Sequence, residues 1–143
     1  MSERIQHRLG VSATREQIWE VIADLPGWAA WNPLYPKAEG SIAFGAALRL
    51  TEQATGQPAR VLDFKVTDWA PGEHLYLRSP AGFMTTRLQY VEIEGLADTG
   101  CVVAAGVIFN GLLEAARAKK NRFLRQGFVT MLEGLKVRVE GAV

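Results

Sequence analysis

Hydrophobic positions recur along this chain with two different periods, and the switch between them marks out the elements. Ile5, His7, Leu9 and Val11 share one side of an opening stretch, with Gln6 and Arg8 on the other, the period of a half-buried strand. Thr14 and Gln17 have the spacing of a capping box, and Ile18, Val21, Ile22 and Leu25 then form one face of a short helix that Pro26-Gly27 stops. Gly27 to Trp31 reads as a second short helix or turn, and Pro33 pushes Asn32 to extended geometry. From Tyr35 the period returns to two. Ile42 and Phe44 end one predicted strand, Gly45 turns the chain, and Leu48 and Leu50 sit in the next. Leu62, Phe64 and Val66 alternate with Asp63, Lys65 and Thr67; after the Pro71-Gly72 turn, Leu75 and Leu77 alternate with Tyr76 and Arg78. Ser79 to Met84 reads as a loop, and Thr85 to Glu94 and Cys101 to Phe109 as a last strand pair joined by residues 95–100.

Leu112 to Val139 then runs 28 positions without proline. As one helix it would extend roughly 42 Å at about 1.5 Å per residue. Leu124, Phe128, Met131, Leu132, Leu135 and Val139 make a one-sided apolar stripe, opposite Arg122, Arg125, Glu133, Lys136 and Arg138. Such a stripe needs a partner surface, and the strand-rich middle is the one large enough. The expected fold is α+β: a strand, two short helices, about six strands with short connections, and a long helix. Short connections imply a mostly antiparallel sheet, and seven strands curl rather than lie flat.

Composition narrows this only modestly. The 143 residues suit one domain over 1–143, and a net charge of +1 offers no global field for nucleic acid. No apolar run is long enough to span a bilayer, so stable membrane insertion is not expected. The opening residues lack the apolar core of a signal peptide, and the single cysteine, Cys101, fits a reducing cytoplasm. Neither a histidine pair at ligand spacing nor a CxxC, GxSxG or GxGxxG motif is present, so no metal or other cofactor is expected.

Four motifs resemble the START-like, or SRPBCC, superfamily, whose helix-grip fold serves lipid carriers, hormone receptors, polyketide cyclases and co-chaperones. They are Val11 to Trp19, Trp31-Asn32-Pro33, Trp69 to Leu75, and Phe109 to Leu112 followed by Gly127-Phe128, Met131, Leu135-Lys136 and Arg138. Their order and spacing agree over essentially the whole chain, and the branch they resemble is the bacterial polyketide cyclase/dehydrase-like one. The resemblance implies an apolar cavity between sheet and long helix holding a hydrophobic small molecule. Many relatives carry a Ser-Glu pair in the final strand where this chain has Gly106 and Val107, so that wall is expected to be dry.

Parity places His7 inward, where an imidazole can bond a ligand hydroxyl or act as a general base. The competing assignment is a structural histidine. Tyr35, Tyr76 and Tyr90 can each offer a phenol hydroxyl to a ligand, with a structural part as the competing assignment; Tyr90, in step with Leu88, is placed inward, whereas Tyr76, Arg87 and Arg49 are placed on the outer face. Cys101 is expected to be a small core residue and His74 a solvated turn residue. On the resemblance, Trp28, Trp31, Phe83 and Met84 flank the cavity mouth, with Phe83-Met84 a lid or a partner contact. The basic segment 117–125 is expected to be a solvated helix start, the competing assignment being attraction of an anionic ligand or membrane surface. Gly127 and Gly134 are expected to permit close approach, and Gly127 to leave room beside Phe128 if it faces the sheet.

The expected pocket is lined by His7, Leu9, Phe64, Leu77, Tyr90 and Val103, with Val107, Phe109, Leu124, Phe128 and Met131 completing it. The expected ligand is a lipid, sterol-like, aromatic or polyketide molecule. The alternatives are an aromatase/cyclase-like enzyme, in which His7 or Tyr90 moves protons, and a co-chaperone or assembly factor acting through Phe83-Met84. A homodimer is compatible with the sequence. Both small-molecule readings require a gap between sheet and helix that side chains leave unfilled.

Overall fold

In a computed structural model of the chain, residues 2–97 and 100–141 are described. Seven described strands, β1 (Ser2–Val11), β2 (Lys37–Gly40), β3 (Ala47–Glu52), β4 (Arg60–Ala70), β5 (His74–Pro80), β6 (Thr85–Ala97) and β7 (Gly100–Gly111), form one antiparallel sheet. The order across it is β1-β7-β6-β5-β4-β3-β2, so β1 and β2 are its edges. Irregular pairing at Val66/Asp68 and at Gly95/Ala97 marks bulges, which bend the strands and sharpen the twist. The part of the β6–β7 connection at positions 98 and 99 lies outside the described residues.

Helix α1 (Arg15–Ala23) begins with the expected capping box. The Thr14 hydroxyl accepts from the Gln17 amide at 3.1 Å, and the Gln17 side chain accepts from the Thr14 amide at 2.9 Å. A 3-10 helix over Leu25–Ala30 follows, tied back by the Trp28 indole N–H, which donates to the Ile22 carbonyl at 3.0 Å.

The expected single C-terminal helix is two: α2 (Glu114–Lys120) and α3 (Leu124–Glu140). The break falls at Asn121. Its side-chain amide donates to the Arg117 carbonyl at 2.7 Å, sharing that acceptor with its own backbone amide at 3.1 Å, while its Oδ1 accepts from Arg60 at 2.7 Å. Nothing on α2 is buried, so no apolar face holds it in line with α3, whose stripe starts at Leu124. That stripe is buried throughout as expected and packs on the concave sheet face through Leu124, Phe128, Met131, Leu132, Leu135 and Val139. Fully burying a side chain of this size contributes about 1.5–3 kcal/mol.

The strand expected to end at Ile42 and Phe44 instead stops at Gly40. Both residues lie in the connection before β3, where the Phe44 ring sits 5.9 Å from that of Trp69, tilted by 37°. The two helix glycines do allow close approach, but to the chain and not to a ligand. A Cβ at Gly134 would stand 2.1 Å from the Trp31 carbonyl oxygen, and one at Gly127 would stand 2.7 Å from Leu34 Cδ1. Residues 31–35 therefore lie along α3, two turns of helix apart at their glycine contacts. They occupy the space that Gly127 was expected to leave beside Phe128.

Candidate functional site: a buried polar cluster at one end of the apolar core

Strand pairing sets which residues share the concave face. Leu48 opposes Phe64, Leu77 opposes Gln89, and Gln89 opposes Val107, with Ile5 next across the sheet. On β6 the inward set is therefore Arg87, Gln89, Val91 and Ile93, and all four are buried. Both expectations for this strand are reversed. Arg87 faces in, and Tyr90 presents its ring on the outer face, where its hydroxyl bonds Gln6. Gly106 makes room for it, because a Cβ there would meet the Tyr90 ring at 2.8 Å. The Arg4 guanidinium lies 5.5 Å from the centre of the same ring. A strand side chain flips face with every one-residue change of register, so the choice is all or none. Val91 and Ile93 outweigh Leu88 because they oppose the core residues Ala105 and Val103.

Five polar groups meet where β3 ends and β6 begins. Glu52, 1% exposed, completes the inward run Leu48-Leu50-Glu52. One carboxylate oxygen accepts from Arg87 Nη2 and from the Tyr35 hydroxyl, each at 2.9 Å, and the other accepts from Arg60 Nε at 2.6 Å. Arg87 also donates to Gln89 Oε1 at 2.8 Å and to the Tyr35 oxygen at 2.9 Å, and its guanidinium lies 5.6 Å from the centre of the Phe64 ring. Tyr35 is positioned by its backbone amide, which donates to the buried Asn32 side chain at 2.9 Å. Arg60, part exposed, carries the cluster outward to Asn121 at the α2–α3 break and packs over Phe123.

The electrostatics follow from this packing. Burial alone would raise the Glu52 carboxyl, but Arg87 and Arg60 outweigh it and hold the group below its ordinary range. Burial pushes the Tyr35 phenol well above its ordinary value, with Arg87 opposing, so it stays protonated. The cluster is a set of fixed donors around a neutralised carboxylate, suited to gripping a polar group. It holds no unpaired base.

The expected open gap is filled. Between sheet and α3 there is a void of about 10 Å³, bordered by Trp28, Leu75, Leu77, Gln89, Phe128 and Met131, among others. That is room for about one water. A far larger concavity, about 1110 Å³, is a surface groove between α1 and the C-terminal half of α3, away from the buried charges.

The remaining candidates separate. Trp28, Leu77, Phe128 and Met131 meet at the void, and Phe64 lies under Arg87. Tyr90 borders the void, although its hydroxyl is on the far face. Val103, Val107, Phe109 and Leu124 are buried core, as is Cys101. His7 and Leu9 keep the inward parity but are only half-buried on edge strand β1. Phe83 and Met84 are exposed at the β5–β6 turn. Tyr76 faces outward as expected, and its hydroxyl donates to Glu92 at 2.7 Å. His74 is hydrogen-bonded to Asp68 at 3.0 Å. Glu52, Arg60, Gln89 and Asn121 were not among the expected site residues, and Tyr35 was expected only as one of three tyrosines able to offer a hydroxyl. The available signal was a charge at an inward position on each of two strands: Glu52 in step with Leu48 and Leu50, and Arg87 in step with Val91 and Ile93.

By sequence the chain matches no protein-family model and no curated protein. Solved structures do match it. The Zhui aromatase/cyclase from Streptomyces sp. R1128 superposes with a TM-score of 0.77 at 17% identity, covering 98% of this chain and 94% of that one. A START superfamily protein from Mycobacterium smegmatis gives 0.75 at 18% identity, covering 98% and 99%. Truncated norcoclaurine synthase from Thalictrum flavum gives 0.68 at 17%, covering 97% and 94%. With a curved seven-stranded sheet gripping its C-terminal helix and these matches over nearly its full length, the chain has the START-like (SRPBCC) helix-grip fold.

Proposed function

We propose that this protein binds a small hydrophobic molecule bearing a polar group, an aromatic or polyketide-like ligand, between the sheet and α3. The observation that carries this is the Arg87–Glu52–Tyr35–Gln89 cluster, a rigid hydrogen-bonding end on an otherwise apolar interior, with Gln89 bordering a small void. An apolar body held by a few convergent polar groups is the usual composition of such sites. Structural neighbours that are an aromatase/cyclase and a START protein support the same ligand class.

The filled interior does not offer the standing gap that a small-molecule reading was expected to require, so binding requires this closed form to open. The cheapest movement is at the α2–α3 break. Helix α2 buries no residue, neither α2 nor α3 has a side-chain N-cap, and one Arg60–Asn121 hydrogen bond latches the break to β4. A segment with no buried residue and no side-chain cap opens at lower free energy than the packed core. Met131, unbranched and at the void, can change rotamer to admit a ring.

Binding is favoured over turnover. An aldol or dehydration catalyst needs a base free to take a proton, and Glu52 is held by two arginines while Tyr35 stays protonated. Freshly purified protein examined by native mass spectrometry and organic extraction tests the proposal. A bound small molecule with aromatic or carbonyl groups is expected. Protein that carries none, and that also binds no 1,8-dihydroxyanthraquinone, would exclude it.

A further inference from the structure

We infer that the end of the molecule formed by the β5–β6 turn and α2 docks peripherally on an anionic lipid surface. Two independent features meet there. The first is apolar. Phe83, Met84 and Leu112 are 68%, 73% and 66% exposed, and they come together because the Leu112 amide donates to the Met84 carbonyl at 3.1 Å. The second is charge. Residues 112–125 contain five basic side chains and one acid, so this stretch carries +4 while the whole chain carries +1, which leaves −3 elsewhere.

The tip is held rigidly. Met84 sits at φ 47°, a left-handed conformation that a side chain rarely adopts, and its surroundings enforce it. The Thr85 hydroxyl donates to the Phe83 carbonyl and accepts from the Leu113 amide, each at 2.8 Å. Gly111, at φ 126°, brings the end of β7 against the Met84 carbonyl, where a Cβ would stand 2.2 Å away. The fold thus fixes three large apolar side chains in water without covering them. Arg117 lies against Gly82 of the same turn, and Lys119, Lys120 and Arg122 are close by in sequence, the last three exposed.

Apolar side chains presented at a tip, with basic side chains beside them, match the boundary of a bilayer: the former enter the headgroup–acyl region and the latter meet lipid phosphates. The local excess of positive charge on a near-neutral chain selects a negatively charged surface. It also orients the molecule with its acidic remainder away.

The test is co-sedimentation of the full chain with phosphatidylcholine vesicles, with and without phosphatidylserine. Bound fraction is expected to rise about tenfold or more with the anionic lipid at low salt and to fall steeply as salt is raised. F83S/M84S is expected to lose binding at unchanged circular dichroism, as is K119E/K120E. Equal binding to both vesicles, no binding to either, or F83S/M84S binding like the parent overturns the inference. So does a defined protein partner captured through Phe83 without any vesicle binding. All four substituted positions are exposed, and the charge-reversed variant reads the same surface if the tip variant misfolds.

Discussion

The two ends of the concave face are built on opposite principles. At one end the buried side chains are apolar: Val91, Ile93, Val103 and Val11 on the sheet, Leu135 and Val139 on α3. Each contact there is non-directional, and each residue contributes by leaving water. At the other end, Glu52, Arg87, Gln89 and Tyr35 are as deeply buried but are held by direction and charge. Burying two charges costs several kcal/mol each before their attraction repays it, so such a cluster is poor evidence for stability. The apolar end explains why the chain folds. The polar end calls for another explanation, and the ligand recognition proposed above is the one to be tested.

The contrast is broken most forcefully by substitution within the pair. Arg87→Ala leaves Glu52 buried with Arg60 as its remaining cationic partner and is expected to cost about 3–5 kcal/mol in urea unfolding. Glu52→Leu combined with Arg87→Met is expected to be nearly neutral, or stabilising by ~1 kcal/mol or more, since well-packed apolar groups replace a buried pair without loss. Phe128→Ala at the apolar interior should also cost about 3–5 kcal/mol. Non-additivity confined to the polar end would bear the comparison out.

A smaller effect separates the helix from its plug. Glycine to alanine in a helix interior is ordinarily favourable by about 1 kcal/mol. At Gly134 the sign should reverse, to a loss of about 1–3 kcal/mol, because the new methyl meets the Trp31 backbone oxygen. Gly127→Ala should cost less, since Leu34 there can shift its side chain. Chemical denaturation of both variants checks the order.

Acid sharpens the comparison further. Glu52 is depressed in the folded state, so its contribution is complete above its ordinary value of 4.5 and is lost as pH falls through the lower folded value. The parent should therefore lose stability more steeply below about pH 4.5 than the Glu52→Leu/Arg87→Met variant. The smallest signal is optical. All three tyrosines are shifted up: Tyr35 by burial, Tyr76 to about 12 mainly by its bond to the Glu92 carboxylate, and Tyr90 by burial against the opposing Arg4. At pH 10 the native protein should show less tyrosinate absorbance than denatured protein, which titrates near that pH.

The sequence displayed the apolar end plainly. Ile18, Ile22, Phe64, Leu75, Leu77 and the α3 stripe follow simple periods, and each is buried. Strand count, capping box and wrapped helix followed from them. The polar end was hidden by the same rule, because a charge at an inward position reads as evidence for the opposite parity. Leu88 and Tyr90 looked like the inner face of β6, and only pairing with Leu77 and Val107 on the neighbouring strands puts Gln89 there instead. The plug was hidden for another reason. That Leu34 and the Trp31 backbone fill the gap at Gly127 and Gly134 depends on contacts about a hundred residues apart in the chain, which no local period encodes.

Binding of 1,8-dihydroxyanthraquinone, followed by tryptophan fluorescence in the parent and in Glu52→Leu/Arg87→Met, tests the central claim most directly. The account predicts saturable binding to the parent and affinity at least about tenfold weaker in the double variant, at equal or greater stability, since a hydrogen bond to a charged group contributes about 1.5–3 kcal/mol. Equal affinity in the two proteins would contradict it and return the buried cluster to a purely structural part.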